Sequence, residues 1–379
     1  MSMVLNEEQV MLQDSSSEFC NTRAPITEFR KLRDEQNEDG FSRELWASMA
    51  EMGWTGAIFP EDLDGFDFGY QGMGVILEQT GRSLVASPIL STVVLGGTLV
   101  HLSGNDAQKQ ELIPAIISGE RLVSVAVDEE ATHNPGKIAC KAEKSDDGYT
   151  LSGEKRFVLD GHVADQFIVV ARTSGNDSDE NGITLFLVDA NASGLTCSRT
   201  HMVDSRNSST LRLDNVQVDV SAILGEVDGG SASLTAALDR ARICLAAEML
   251  GSLTQVFEIT MEYLKTRVQF DVPIGSFQSL QHRAAEMFGE IEMARSVVYK
   301  ALTAIDEDSD NVALLASLAK AKLNDIFHLV SNEGIQMHGG IGMTDECDIG
   351  FYLKRSRVAS QTLGNSQYHR NRYATLKGY

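Results

Sequence analysis

The residues best placed to do chemistry fall in two short clusters in the last third of the chain. Gln336-Met337-His338-Gly339-Gly340-Ile341-Gly342 closes an apolar helical run. Three glycines in four positions let a backbone turn tightly and approach a ligand closely, as a phosphate or an adenine requires. The same pattern also serves as a plain helix cap. The second cluster, Arg267-Val268-Gln269-Phe270 followed by Pro273-Ile274-Gly275-Ser276-Phe277-Gln278, sets a guanidinium, amides and aromatic rings around a loop between two long helices. Arginine suits bidentate diphosphate binding. The competing reading is an Arg that satisfies helix-terminal carbonyls while Phe270 and Phe277 pack in the core.

Three stretches of different periodicity must position these clusters. From Asn6 to about Glu120 apolar residues recur at helical spacing, as in Leu45, Met49 and Met52, broken at Phe59-Pro60-Glu61-Asp62, Asp64-Gly65 and Gly104-Asn105-Asp106. From Leu122 to Val218 short β-branched runs such as Phe167-Ile168-Val169-Val170-Ala171 and Ile183-Thr184-Leu185-Phe186-Leu187-Val188 alternate with polar turns. Within it, Ser174 to Asn181 reads as a mobile loop. After Gly229-Gly230 the helical period returns over Leu234 to Arg267, Gln278 to Ile305, Asn311 to His338, and again from Asp348. Long amphipathic helices of this kind favour an antiparallel bundle and subunit association. The expected organisation is multi-domain α+β: a helical domain over 1–121, an all-β domain over 122–226 and a helical bundle over 227–379.

Composition narrows the function classes. With 379 residues, 42% apolar, the chain can bury a large core. Its net charge of -22 argues against nonspecific binding to nucleic acid or anionic membrane and fits a solvated acidic surface. Runs such as Val93 to Val100 fall short of the roughly 20 residues of a membrane span. Met1 to Phe19 is polar and acidic where a signal peptide would be apolar, so a cytoplasmic location is expected. Cys20, Cys140, Cys197, Cys244 and Cys347 lie far apart without a CxxC pair, which indicates neither a disulfide framework nor a zinc site; all five read as small buried or neutral thiols.

The pattern Arg267-x-x-Phe270-x-x-Pro273-Ile274-Gly275-x-Phe277-Gln278-x-x-Gln281-His282, followed by Gln336 to Gly342, resembles the acyl-CoA dehydrogenase family. The likeness extends to Leu5-Asn6-Glu7-Glu8-Gln9, to Gly104 through Gln110, and to Leu151-Ser152-Gly153-Glu154-Lys155, Ser208-Ser209-Thr210 and Ile223-Leu224-Gly225-Glu226. The resemblance implies an N-terminal helical domain, a middle β-barrel and a C-terminal four-helix bundle. It also implies a homotetramer or a heterotetramer, FAD as cofactor, an acyl-CoA substrate and an electron-transferring flavoprotein as acceptor. On this match Arg267, Gln269, Phe270, Ile274, Phe277, Gln336, Gly339 and Gly340 form the ADP pocket that serves the flavin of a neighbouring subunit. Asp128, Phe157 and Asn365 fall at the remaining flavin-facing positions, and Asp239 and Arg242 at substrate contacts.

Two departures from the family pattern stand out. Where relatives show Thr-Glu-Pro and then Gly-Ser-Asp, this chain reads Asp128-Glu129-Glu130-Ala131-Thr132-His133-Asn134, so acids crowd the place where a reduced, anionic flavin would be repelled. Phe157 replaces the usual Trp of the later strand, keeping a ring face but no indole N–H. The family reaction removes an α-proton while the β-hydrogen leaves as hydride to flavin N5, which requires a carboxylate within hydrogen-bond reach of the α-carbon. The two positions that supply it in relatives are occupied here by Leu363 and Ala241. Asp239 and Glu248 are the only nearby acids on the same helix. Asp239 lies two residues from Ala241 and so faces away, and Glu248 lies seven residues on, about 10 Å along the axis. The expectation is an acyl-CoA dehydrogenase acting as the supporting chain of a heteromer whose partner carries the glutamate. The alternative is a catalytically silent FAD- or acyl-CoA-binding homologue.

Overall fold

The computed structural model describes residues 5–379; the first four residues of the polar Met1–Phe19 stretch lie outside it. The chain opens with α1 (Glu7–Thr22), α2 (Ile26–Asp34), α3 (Arg43–Glu51) and α4 (Gly69–Arg82). A π-helix (Ile89–Gly97) then runs into α5 (Thr98–Ser103), and α6 (Asp106–Ile117) follows. Eight strands come next: β1 (Val123–Ala126), β2 (Lys141–Lys144), β3 (Gly148–Leu159), β4 (Gln166–Arg172), β5 (Ile183–Asp189), β6 (Leu195–His201), β7 (Asn207–Asp219) and β8 (Ile223–Leu224). The last part holds α7 (Gly230–Thr266), the hairpin strands β9 (Val268–Gln269) and β10 (Val272–Pro273), α8 (Gln278–Asp306), α9 (Val312–His338), α10 (Ile349–Gln361) and α11 (Ser366–Leu376). The helical, β, helical order is the one the periodicity predicts. In space, however, the chain forms two compact units with interleaved segments: Met1–Lys31, Tyr70–Val85 and Arg242–Tyr379 in one, Leu32–Gly69 and Ala86–Ala241 in the other.

The β-containing unit carries a mixed sheet in the order β6-β7-β3-β2-β4-β5-β8, with β1 pairing parallel to β4. The sheet does not close into the expected barrel: its end strands β6 and β8 do not pair, and β2 meets β4 through one register pair, Lys141 with Arg172. Alternating hydrophobicity along a strand specifies a buried face, which an open sheet and a barrel share, so the pattern could not separate them. That face buries Leu151, Val158, Phe167, Val169, Phe186, Val188, Leu211 and Val216. The Ser174–Asn181 segment is pinned rather than loose. The buried Arg172 guanidinium donates to the carbonyls of Asp177 (2.9 Å), Asp179 (3.1 Å) and Asn181 (2.6 Å), a set of backbone acceptors that composition could not reveal. At the start of α6 the expected Gly104-Asn105-Asp106 break becomes a capping box: Asn105 Oδ1 accepts from Gln108 N and Gln108 Oε1 from Asn105 N.

The other unit is built on α7. Helix α4 crosses it so closely that a Cβ on Gly251 would sit 1.8 Å from the Glu78 carbonyl, and one on Gly81 2.1 Å from the Glu248 carbonyl. Ser252 Oγ closes the crossing by donating to the Gly81 carbonyl at 2.8 Å. Asp306 caps α4, its two oxygens accepting from Tyr70 N (2.7 Å) and Gln71 N (2.9 Å). By length and composition α7 could cross a membrane, contrary to the expectation of short apolar runs only. Yet 78% of its most apolar window is buried within the protein, as in the core helix of a bundle. All five cysteines are free; Cys20, Cys140 and Cys244 are buried, Cys197 is exposed and Cys347 half-buried. Burial pushes the Cys20 thiol up to about 12, so it is neutral.

Candidate cofactor and active site

At one end of the α7 unit the two glycine- and arginine-bearing clusters are brought together. Tyr263 stacks on His338 with ring centroids 4.4 Å apart, and its hydroxyl donates to the His338 carbonyl at 3.3 Å. This ties the end of α7 to the end of α9. Burial holds the His338 imidazole below its usual pKa, and Nδ1–H donates to the Gly334 carbonyl at 2.7 Å. One residue on, Gly339 takes φ +64, which ends α9 and which an L side chain rarely adopts. A Cβ on Gly339 or on Gly340 would meet nothing within 4 Å, so the backbone there lies open to an incoming group.

The hairpin β9–β10 hangs from the same end. Its two central residues, Phe270 (φ +53) and Asp271 (φ +66), both occupy the left-handed region of a type I′ turn, which Asn and Gly normally fill. A bulky aromatic in that conformation is strained by about 1–2 kcal/mol. Phe270 is nevertheless 86% exposed, and its only ring neighbour among the described residues is Phe277, edge-on at 6.2 Å. The core-packing alternative for Phe270 therefore does not hold. Nor does the helix-capping alternative for Arg267: among the described residues its guanidinium has no hydrogen-bond or ion-pair partner and is exposed. Gln336 is likewise exposed without a side-chain partner, while Gln269 folds back on the Val268 carbonyl at 2.9 Å and Ile274 is half-buried. A free guanidinium, a free carboxamide, open glycine backbone and uncovered rings form a donor set that fits the diphosphate and adenine of FAD.

The flavin-ring positions, Asp128 and Phe157 on the β-containing unit and Asn365 on the α7 unit, behave differently. Asp128 accepts from His133 Nδ1 at 2.8 Å and from Asn134 N at 3.0 Å. Glu129 is held by the buried ammonium of Lys155 at 2.6 Å and by the backbone N–H groups of Ala139 and Cys140. Glu130 pairs with Lys137 at 2.6 Å. The expectation that these acids would repel a flavin is thus corrected: each has a partner within its own loop. The consequence is a segment whose acids are held from within the chain; among the described residues the exposed Thr132 hydroxyl has no acceptor and stays open to a ring, a poorer donor set than the Thr, Gly and Ser of the family pattern. Phe157, half exposed at φ +52 on a bulge of β3, offers one aromatic face and nothing more. Asn365 spends its oxygen capping α11, accepting from Tyr368 N at 2.9 Å.

The positions where a base is required are sealed. Leu363 is buried at φ +57, and Ala241 is buried inside α7. The turn carrying Leu363 is gripped by its carbonyls: Arg242 Nε (3.2 Å) and His369 Nε2 (3.0 Å) donate to the Leu363 carbonyl, and Lys320 Nζ (3.1 Å) to that of Gly364. Lys320 is completely buried and also donates to Asn324 Oδ1 and the Ala359 carbonyl; burial, with Arg242 and Arg355 nearby, holds it well below its usual pKa. Lys320 and His369 escaped the sequence reading. The signal was a lysine on the apolar face of α9, among Ala316, Ala319 and Leu323. Of the two acids considered as substitutes, Glu248 is engaged on both oxygens by the buried Arg355 (2.8–3.1 Å), which removes it from the candidate bases. Asp239 is buried and already engaged.

Models of the N-terminal, middle and C-terminal domains of acyl-CoA dehydrogenases match residues 6–120, 126–216 and 228–375. The chain is 30% identical over 338 residues to the short-chain specific acyl-CoA dehydrogenase of Megasphaera elsdenii, covering 86% of this chain and 88% of that protein. Among solved structures it is similar to a chain of the ChsE4-ChsE5 complex from Mycobacterium tuberculosis, with TM-score 0.90, 26% identity, and coverage of 100% and 99%. It is also similar to a chain of the Tcur3481-Tcur3483 steroid ACAD, with TM-score 0.88, 30% identity and 98% coverage of both.

Proposed function

Because the chain belongs to the acyl-CoA dehydrogenase family, FAD-dependent oxidoreductases that act on CH–CH bonds, we propose that it serves α,β-desaturation of an acyl-CoA as the supporting subunit of a heterotetramer. It holds the ADP half of FAD for a partner chain, and that partner carries the flavin-ring site and the catalytic glutamate. The observation behind this reading is the contrast within one chain. Arg267 and Gln336 have no side-chain partner among the described residues and the Gly339-Gly340 backbone has open space beside it, whereas the Asp128–Cys140 loop and the Leu363 turn are closed on themselves. FAD would supply the hydride acceptor in the partner's site; the part of this chain is to bind and orient its diphosphate end. Similarity to the ChsE4-ChsE5 complex and to a steroid ACAD supports a two-chain assembly and a bulky polycyclic acyl group. The acceptor is an electron-transferring flavoprotein, as the family resemblance implies.

The test is co-expression with an acyl-CoA dehydrogenase homologue encoded nearby. The expected product is a mixed tetramer with FAD at half of its sites, inactive when the partner's glutamate is replaced. Ordinary turnover of acyl-CoA by this chain alone, or a full complement of FAD on it, would overturn the proposal.

A further inference from the structure

Lys320, on α9, is completely buried, and the reading of the chain as a supporting subunit leaves it without a task. Its amine faces three neutral oxygens. They are Asn324 Oδ1 (2.7 Å), the Ala359 carbonyl near the end of α10 (2.8 Å) and the Gly364 carbonyl of the Leu363 turn (3.1 Å). Among the described residues no carboxylate pairs with it.

The charged groups on the surrounding elements do not compensate an ammonium there. Arg242 approaches from α7 and Arg355 from α10, the latter already paired with Glu248. On α11, His369 turns Nε2 to the Leu363 carbonyl, and Arg372 bonds the Ala313 carbonyl and Ser317 Oγ. On α9 itself Lys322 pairs with Glu290 and Asp325 with Arg370. The buried residues of α8 include nothing ionisable. An ammonium with no counter-ion, no water and two guanidiniums for neighbours is strongly disfavoured, and the Lys320 pKa is accordingly held well below 10.5. The cage is complete without the charge. A neutral amine has two protons to share over the three oxygens. The most distant of these, the Gly364 carbonyl, has a second donor in Asn324 Nδ2 at 3.4 Å.

We propose that Lys320 is a proton-coupled latch on the Leu363 turn: the closed turn holds the neutral amine, and opening the turn lets Nζ reach water and take one proton from it. The turn is therefore shut most firmly at alkaline pH and loosens as pH falls. Between the closed-state pKa and 10.5, each pH unit shifts the balance by up to about tenfold, the linkage of a single proton. The latch goes beyond the reading of the chain as a supporting subunit and does not depend on it.

Hydrogen exchange of the full chain tests it at the amides of Thr362 and Gly364, which bond to the Val358 and Gln361 carbonyls in and beside the turn. The measurement runs from about pH 7.5 to about 9.5, above the range in which an ordinary imidazole titrates. With rates divided by those of an unstructured chain, protection should rise by about tenfold per pH unit. Lys320→Arg keeps a donor but fixes the charge, so protection should be lower and flat with pH. Lys320→Met should also lose the slope. Flat protection in the wild type means that the closed turn holds an ammonium, and overturns the proposal. A slope that survives Lys320→Arg assigns the proton to another group and also overturns it. So does protection at Thr362 and Gly364 equal to that of Leu250 in the buried part of α7, because the opening is then global unfolding. The wild-type slope requires no variant, so a replacement that fails to fold leaves the test decisive.

Discussion

Glu248 separates a structural role from a catalytic one in a single measurement. Its carboxylate and the Arg355 guanidinium face each other with side chains only 7% and 8% exposed and contacts of 2.8–3.1 Å. Glu248→Gln keeps the shape and removes the charge. Water cannot reach in to solvate the arginine left behind, so the expected cost is about 3–5 kcal/mol, the usual penalty for stranding one member of a buried pair. Urea denaturation at fixed protein concentration reads this as a lower midpoint with an unchanged slope. The double replacement Glu248→Leu with Arg355→Met should recover most of the loss, because two apolar groups need no solvation. A stability change under about 1 kcal/mol, together with loss of turnover in the reconstituted complex, would refute the argument and reinstate Glu248 as a base.

Arg267→Ala in the mixed complex should weaken FAD retention by about 10- to 150-fold, the worth of a charge-assisted hydrogen bond, measured by fluorescence of released flavin. Phe270→Gly should act in opposite directions: it relieves about 1–2 kcal/mol of left-handed strain in the free chain, raising its melting temperature, while lowering cofactor affinity in the complex. His338 has a folded-state pKa depressed below 6.5, so its neutral form is stabilised by folding; that contribution is present above pH 6.5 and is lost as pH falls through the folded value. Melting temperature should therefore drop on acidification from neutral pH, and less steeply in His338→Gln. Gly251→Ala should cost about 3 kcal/mol or more, since α4 must move off α7 to admit a Cβ 1.8 Å from a carbonyl, and thermal melting reports it.

The element order and the ADP-facing cluster were legible in the sequence because they rest on local signals: helical period, strand alternation, glycines at a helix end, and a guanidinium between two helices. What could not be read depends on which groups meet across long separations. Arg172 pins the Ser174–Asn181 segment through backbone carbonyls, which carry no residue identity. The acids at Asp128, Glu129 and Glu130 read as a repulsive patch until Lys155 and Lys137 are seen to pair with two of them. Alternation could not tell an open sheet from a barrel. Nor could periodicity show that α1 and α4, early in the chain, belong to the compact unit built on α7.

The Leu363 turn has one more consequence. Every contact that fixes it, from Arg242, Lys320 and His369, is made to a main-chain oxygen, and none of them reads the side chain at 363. The hydrogen bonds that hold the turn are therefore indifferent to which residue stands at 363. A lineage with this architecture can discard or regain its reactive group through a single codon while the backbone holds its pose. Duplicated genes could then divide into a working and a supporting copy early, with the rest of the specialisation following at leisure.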